Sequence, residues 1–298
     1  MSDRAPPQPI SFDTILPSSM AIRAEEGGVT RAAMDPMAVF VLSVLAGAFI
    51  SFGAIFATTV GTSLSSLPGE AAGSLPYGVI RLLTGLVFCV GLILVVVGGA
   101  ELFTGNNMLV MAWAGGKVTT YALLANWMIA FTGNFIGAIA TAALMFVSTQ
   151  YTFGGGAVGL NALVIANGKT ALALVPAFTL GVLCNALVCL AVWMCYGART
   201  TIDRVVTIIP PISTFVAAGF EHSIANIYFI PMGLFIKAGA PDPFWDTIGK
   251  SPADFPALTW ENFIFANLIP VTAGNIVGGA VMVAAVYWFV YLRKKPRI

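Results

Sequence analysis

Long stretches without any charged residue constrain this chain more than any other feature of its sequence. Four such runs cover residues 36–69, 118–168, 170–198 and 262–292. A helix that spans a bilayer needs about 20 predominantly apolar residues, and an average soluble domain carries about 25% charged residues, whereas this chain carries 9%. The sequence therefore predicts a polytopic membrane protein and argues against a soluble enzyme or a disordered scaffold. Its predicted spans lie near residues 37–62, 120–148, 171–197 and 262–291.

Two further apolar regions are each interrupted by ionisable residues. Residues 82–116 contain Glu101, and residues 205–236 contain Glu221 and His222. Each uninterrupted half is shorter than the hydrocarbon core of about 30 Å. Glycines lie at both interruptions, namely Gly98, Gly99 and Gly105 in the first and Gly219 in the second. We therefore expect an all-α membrane protein with six transmembrane helices, of which the second and fifth are discontinuous.

The distribution of lysine and arginine predicts the orientation of these spans. Arg81, Lys169, Lys237 and Lys250 fall on one side, and the other ten of the 14 basic residues fall on the side that holds both termini. Cytoplasmic loops carry the excess of positive charge. We therefore expect a multi-pass protein of the cell (inner) membrane with both termini in the cytoplasm. The formal net charge of +1 gives no reason to expect a nucleic-acid partner.

The first 35 residues differ from the rest of the chain. They contain no apolar core of a signal peptide, and Phe12, Ile15, Leu16 and Met20 recur at helical spacing among charged residues. We expect residues 1–35 to form a cytoplasmic amphipathic segment at the membrane surface, with a solvated tail as the alternative. We expect residues 36–298 to form the six-helix transmembrane domain.

Short strings recur in the same order in the two halves of the chain. Residues 99–102 read GAEL and residues 219–222 read GFEH, while residues 133–137 read GNFIG and residues 274–278 read GNIVG. Three spans per half force the halves to insert with opposite topology, so the repeat is an inverted 3+3 repeat of the kind that channels and transporters use.

The two interruptions also predict which solutes the chain favours. Half-helices beginning after Thr104 and near Ser223, both good N-cap residue types, would point the positive ends of their dipoles at the midplane. Two positive helix ends that face one cavity favour a small anion.

The ionisable residues at the interruptions need separate interpretations. Glu101 and Glu221 would repel an anion, so we expect them to be structural and to fix the two loops by accepting N–H bonds. His222 is the only histidine, and an ionisable residue at membrane depth is a functional candidate whose charge changes near neutral pH. The four cysteines form no CxxC pair, so we expect no disulfide framework, metal site or cofactor.

Four longer strings identify a resemblance. They are residues 99–105 (GAELFTG), 184–193 (CNALVCLAVW), 219–226 (GFEHSIAN) and 270–275 (PVTAGN). With these strings the chain resembles the formate/nitrite transporter family, from about residue 12 to its carboxyl end. The resemblance implies an aquaporin-like six-helix protomer, assembled as a homopentamer in the lipid bilayer with a pore through each protomer. It also implies passage of small anions (formate, nitrite and related weak acids).

The resemblance also implies roles for individual residues. His222 is the central pore histidine, and Thr104 offers a hydroxyl to the anion beside it. Lys169 attracts anions to one vestibule. The remaining pore residues are Phe88, Leu92 and Leu102 at a first constriction, Phe215 at a second constriction near Asn185, and Asn275 on the last span. Gly99 and Gly219 are structural at the helix breaks. Each pore residue has a structural alternative: core packing, an N-cap, an interfacial anchor or an interhelical hydrogen bond.

Two mechanisms are compatible with His222 in this position. It lends a proton so that a neutral acid passes the apolar ring, because a bare carboxylate there is costly, or it stabilises the anion electrostatically.

We expect formate as the substrate, because segment 219–233 and both chain ends resemble those of formate channels. Nitrite is the alternative, because Glu101 replaces the Asp common in formate channels.

Two other classes of function are less well supported by the sequence. A water or glycerol channel would carry paired Asn-Pro-Ala motifs, which are missing here. An intramembrane enzyme would need a nucleophile with a base, or a metal set such as HExxH. We therefore expect no enzymatic activity.

Overall fold

The computed structural model describes residue 13 and residues 15–64 and 75–293, and these residues form helices and connecting turns without β-strands. The helices are α1 (Pro17–Ala32), α2 (Pro36–Val60), α3 (Tyr77–Gly98), α4 (Val110–Ala114), α5 (Thr120–Val147), α6 (Ala157–Thr170), α7 (Leu174–Cys195), α8 (Thr201–Ala218), α9 (Ser223–Gly239), α10 (Asp242–Ile248) and α11 (Trp260–Tyr291). Short 3₁₀ turns cover Gly61–Leu64, Gly105–Leu109, Gln150–Thr152 and Pro252–Asp254. Helix α11 contains π-helical turns at Phe263–Leu268 and Val277–Ala285.

Six helices in the described ranges are long and apolar enough to cross a bilayer: α2, α3, α5, α7, α8 and α11. Four of them, α2, α5, α7 and α11, coincide with the four predicted uncharged spans. Beyond the second interruption, α9 bends by 112° into α10. The prediction of an all-α membrane protein with six spans is confirmed.

The two interruptions are present, but the helices before them are longer than predicted. Helix α3 begins at Tyr77 and has 22 residues, which corresponds to about 33 Å, enough to cross the hydrocarbon core alone. Helix α8 begins at Thr201 and has 18 residues. The prediction of a short half was wrong for α3 because it excluded charged residues from the helix. Arg81 lies within α3, where its guanidinium donates to the carbonyls of Val216 and Ala217.

Glycines let the outer spans of each half pack with their backbones in contact. At Gly137 of α5, an added Cβ would overlap the carbonyl of Val44 on α2. In the second half, a Cβ at Gly278 of α11 would overlap the carbonyl of Val182 on α7. Small residues at helix crossings are the usual means of close packing in membranes. Equivalent glycines at equivalent crossings support the predicted repeat of spans 1–3 in spans 4–6.

The amino-terminal helix α1 lies against the first interruption. It contacts the 3₁₀ turn Gly105–Leu109, α4 and the last turns of α11. Its buried face includes the small residues Ala21, Ala24 and Gly28, and Gly28 faces Leu109 and Ala112. Ile15 and Met20 are buried as the helical spacing predicts, whereas Leu16 is exposed. Phe12 lies outside the described residues.

Candidate substrate pore

Each interruption begins with a glycine whose backbone conformation other residues rarely adopt. Gly99 ends α3 with a φ of 73°, and Gly219 ends α8 with a φ of 79°. This left-handed backbone conformation is costly for residues that carry a Cβ. The chain then leaves the helix for a few residues before it starts a new one. Each glycine therefore lies where a helix ends.

One buried asparagine holds the first interruption in place. Asn134 on α5 donates to the carbonyls of Ser43 (2.7 Å) and Glu101 (2.9 Å) and accepts from the backbone N–H of Phe103 (2.8 Å). The side chain thus satisfies backbone groups that the broken helix leaves free at membrane depth, where an unpaired group is expensive.

Asn275 on α11 does the same at the second interruption. It donates to the carbonyls of Gly181 (2.8 Å) and Glu221 (3.0 Å) and accepts from the backbone N–H of Ser223 (2.9 Å). These three bonds match those of Asn134 one for one. The interhelical bonding that was the alternative reading of Asn275 is therefore present in the structure.

The two glutamates have matching surroundings as well. Glu101 accepts from Asn106 (2.8 Å), which also donates to Asn126 (2.9 Å), and it pairs with Arg31 of α1 at 3.3 Å. The guanidinium of Arg31 also donates to the hydroxyl of Tyr196. Glu101 is thus held by side-chain donors, and its structural role stays a prediction.

Glu221 repeats this arrangement at shorter range. It accepts from Asn226 (2.6 Å) and Asn267 (3.1 Å), and Asn226 donates to Asn267 (2.7 Å). Lys169 of α6 pairs with the same carboxylate at 2.8 Å. Since α1 supplies the cation of the first half and α6 that of the second, the repeat is longer than predicted and includes these two short helices.

His222 lies at the start of α9 and bridges the two halves. Its Nδ1 accepts from the backbone N–H of Ala225 at 3.1 Å, and its Nε2 lies 3.1 Å from Oγ1 of Thr104. Because a backbone N–H is always a donor, Nδ1 is unprotonated in this arrangement, which leaves the proton of a neutral ring on Nε2. The ring therefore donates to the Thr104 oxygen and leaves that hydroxyl's own proton available.

The predicted helix caps were wrong. Thr104 makes no side-chain cap bond at Gly105, and the hydroxyl of Ser223 has no hydrogen-bond partner among the described residues. His222 itself caps α9 through Nδ1. Leu102 follows Glu101 in the first interruption, and His222 follows Glu221 in the second. The two halves therefore place an apolar side chain and a polar one at equivalent positions.

Two cavities approach His222 from opposite sides. The cavity on the side of the termini has about 190 Å³ and is lined by Arg31, Arg204, Glu101, Leu92 and Leu102, among others. The cavity on the other side has about 90 Å³ and is lined by Arg81, Lys169, Phe88, Phe215 and His222, among others. A closed space between them is lined by Leu92, Phe88, Phe215 and His222 and has no room for a water molecule.

The structure groups the predicted constriction residues differently. Leu92 and Leu102 line the cavity on the side of the termini, as a first constriction would. Phe88 does not accompany them, because its ring makes an edge contact with Phe215 (5.7 Å between centroids) and lines the opposite cavity. Phe215 in turn stacks on the His222 ring at 5.9 Å. Phe88 thus lies with Phe215 beside the opposite cavity and with Leu92 beside the closed space, and its assignment to the first constriction stays a prediction.

Lys169 and Asn185 have contacts that the predictions did not include. Lys169 lines a cavity, but its ammonium group pairs with Glu221 and lies over the Phe229 ring. Asn185 is fully buried and donates to the carbonyls of Asn275 (2.7 Å) and Thr104 (3.3 Å). Asn185 thus fixes the backbone behind the Thr104 hydroxyl.

Several residues of this site escaped the sequence reasoning. The missed residues are Arg31, Arg81, Arg204, Asn106, Asn126, Asn226 and Asn267. The internal repeat could have identified the four asparagines. Asn106 and Asn226 each lie five residues after a glutamate of an interruption, and Asn126 and Asn267 lie at matching positions of spans three and six.

Comparison with known proteins identifies the family. The family profile described as "Formate/nitrite transporter" matches residues 18–289. This chain belongs to the formate/nitrite transporter family. It is 44% identical to the formate channel FocA of Escherichia coli (strain K12), over 95% of this chain and 96% of the relative. It is 38% identical to the formate channel FocB of the same strain, over 96% of this chain and 99% of the relative.

Solved structures of related proteins share the fold. A structure described as a pentameric formate channel with formate bound is similar with a TM-score of 0.79 and 43% identity, over 87% of this chain and 98% of that chain. A second, described as an ion channel of the same family, has a TM-score of 0.73 and 27% identity, over 92% of this chain and 99% of that chain. These relatives are channels, in agreement with the expectation of a non-enzymatic protein.

Proposed function

We propose that this family member is a formate channel in which the anion passes between the two cavities beside His222 and Thr104. The observation that carries the proposal is the bond between Nε2 of His222 and Oγ1 of Thr104, which lies between two cavities lined by basic side chains. The curated relatives named above are formate channels at 44% and 38% identity. Formate is small, carries one charge and accepts hydrogen bonds, so it matches donors of this kind.

The remaining pore roles follow from the position of each side chain. Leu92 and Leu102 form an apolar constriction on one side of His222, and Phe88 with Phe215 forms the other. Asn185, Asn275, Glu101, Glu221, Gly99 and Gly219 hold the two interruptions. The closed centre implies that at least one constriction side chain moves when an anion passes.

The coupling of transport to protons rests on the protonation of His222. In the described arrangement Nδ1 accepts from Ala225, so an imidazolium ring requires that this bond break. The geometry therefore favours a neutral ring that donates hydrogen bonds through Thr104. Proton-coupled passage, in which a neutral acid crosses the constriction, then requires the ring to reorient before it lends a proton.

The assembly and orientation are part of the same proposal. A homopentamer is supported by the pentameric relative of known structure. Both termini face the cytoplasm of the cell (inner) membrane, because most lysines and arginines lie on their side. Residues 1–35 form a cytoplasmic segment whose helix α1 contributes Arg31 to the pore mouth, and residues 36–298 form the channel domain.

Nitrite is the second candidate substrate, and Glu101 is the observation that favours it. The first interruption carries Glu rather than the Asp that is common in formate channels. The geometry of the Glu101 carboxylate, which is held by Asn106 and Arg31, gives it no direct contact with the centre of the pore. We therefore rank formate above nitrite.

The deciding experiment measures flux into proteoliposomes that contain the full-length protein. Formate and nitrite uptake are compared at two pH values for the wild type and for His222→Asn. We expect faster formate uptake by the wild type, an increase at the lower pH, and loss of the increase in the variant. Faster nitrite uptake would transfer the assignment to nitrite, and equal transport by both proteins at each pH would exclude a role for His222.

A further inference from the structure

The cations of the two cavities fall into two kinds. In each cavity one cation is paired with a buried carboxylate: Arg31 with Glu101, and Lys169 with Glu221. Each pair has no net charge and attracts a distant anion only weakly. The side chain of Lys169 is also only 17% exposed. Lys169 is therefore poorly placed to attract anions to its vestibule.

The other cation of each cavity has no carboxylate within salt-bridge distance in the described part of the chain. Arg204 is exposed at the mouth on the side of the termini. Its neighbour Asp203 is committed to the start of α8, where it accepts from the backbone N–H groups of Arg199 and Thr200 at 2.9 Å. Among the described residues, Arg204 therefore forms no ion pair of the kind that holds Arg31.

Arg81 is the unpaired cation of the opposite cavity. Its guanidinium donates to the carbonyls of Val216 and Ala217, in the last turn of α8 before Gly219. A helix C-terminus carries a partial negative charge, which would oppose an anion approaching His222. Arg81 covers these carbonyls and adds a full positive charge to the same cavity.

We propose that Arg81 and Arg204, rather than the ion-paired Arg31 and Lys169, are the residues that concentrate anions at the two mouths of the pore. The inference rests on the proposed anion conduction. Each arginine serves one face, because Arg81 lies near the start of α3 and lines one cavity, whereas Arg204 lies near the start of α8 and lines the other. Charge in a cleft acts on the rate of association and makes it dependent on salt.

The test uses right-side-out and inverted membrane vesicles that contain the full-length protein. Formate uptake is measured against formate concentration and ionic strength for the wild type, Arg204→Gln and Arg81→Gln. Removal of one charge about 6 Å from the anion in a water-like dielectric corresponds to a roughly threefold increase in the half-saturating concentration. We expect that increase, with a weaker salt dependence, only from the face that the altered arginine serves.

Variants that keep the positive charge distinguish an electrostatic effect of Arg81 and Arg204 from an effect on the structure. Arg81→Lys and Arg204→Lys retain the charge, and we expect wild-type salt dependence from both. If both glutamine variants are folded and keep the wild-type concentration and salt dependence on both faces, the inference is wrong. If the wild type conducts no formate at all, the proposed function fails instead, so the two failures are distinguishable.

Discussion

Thr104 and His222 are 118 residues apart in sequence, yet Oγ1 of Thr104 lies 3.1 Å from Nε2 of His222. The bond joins the non-helical segment of the first interruption to the helix start of the second. It exists because Asn134 and Asn275 hold the two segments in equivalent positions. The inverted repeat therefore places one donor and one acceptor from opposite halves at the centre of the pore.

The first prediction concerns this bond. In Thr104→Val the side chain keeps its volume but leaves the Nε2 proton without the Thr104 acceptor and removes the hydroxyl beside it. We expect formate flux to fall by about fivefold, which corresponds to the loss of one net hydrogen bond of about 1 kcal/mol. Thr104→Ser keeps the hydroxyl and is expected to retain most of the flux. Uptake into proteoliposomes measures both, and equal flux in the valine variant would contradict the role of the hydroxyl.

The second prediction concerns the buried ion pair between Lys169 and Glu221. Lys169→Met leaves a carboxylate that is 4% exposed without its cation. We expect the free energy of unfolding to fall by about 3 kcal/mol, because an uncompensated buried charge is costly. Lys250→Met changes an exposed lysine and is the control, with an expected effect within about 0.5 kcal/mol.

Thermal denaturation of the purified proteins in the same detergent measures these differences. The double variant Lys169→Met with Glu221→Gln removes both charges, so we expect it to be more stable than Lys169→Met alone. If the double variant is the less stable of the two, Glu221 is stabilised by Asn226 and Asn267 rather than by the lysine.

The number and position of the spans were predictable because they depend on a local property, the length of an uncharged run. The two interruptions were predictable for the same reason, since Glu101 and Glu221 are conspicuous in apolar surroundings. Helix limits were not predictable where a charge finds a partner. Arg81 lies inside α3 because carbonyls at the end of α8 accept its protons, and this contact exists only in the folded protein.

The grouping of the pore residues depends on packing between distant segments. Phe88 and Leu92 lie on one face of α3 and are about 6 Å apart along its axis, so sequence spacing alone puts them together. In the structure both side chains line the closed space beside His222, but Leu92 also lines the cavity on the side of the termini and Phe88 the opposite one, where α8 of the other half packs against α3. The helix cap by His222 was missed for a similar reason, since Ser223 is the more common cap type.

The third prediction tests the glycine contacts between α2 and α5. In Gly137→Ala the added methyl group overlaps the carbonyl of Val44, and both groups are backbone-anchored, so the helices must move apart. We expect the variant to lose about 1–3 kcal/mol of stability, as overpacked interiors do. Gly78→Ala is the matched control, because its added Cβ meets no atom within 4 Å, and we expect it to melt at or above the wild-type temperature. A Gly137→Ala protein as stable as Gly78→Ala would show that the helix spacing is adjustable.

The last prediction concerns the closed centre of the pore. Leu92 is 2% exposed and lines both the cavity on the side of the termini and the closed space beside His222. Shortening it to valine widens this point with a smaller loss of packing than alanine would cause. Acetate is one methyl group larger than formate. We expect Leu92→Val to raise the ratio of acetate to formate uptake about tenfold, since one carbon in an apolar site discriminates by this order.

Leu86→Val on the exposed face of the same helix is the control and is expected to keep the wild-type ratio. The ratio of acetate to formate uptake in proteoliposomes measures the effect, and an unchanged ratio in Leu92→Val would place the size limit at Phe88 and Phe215 instead.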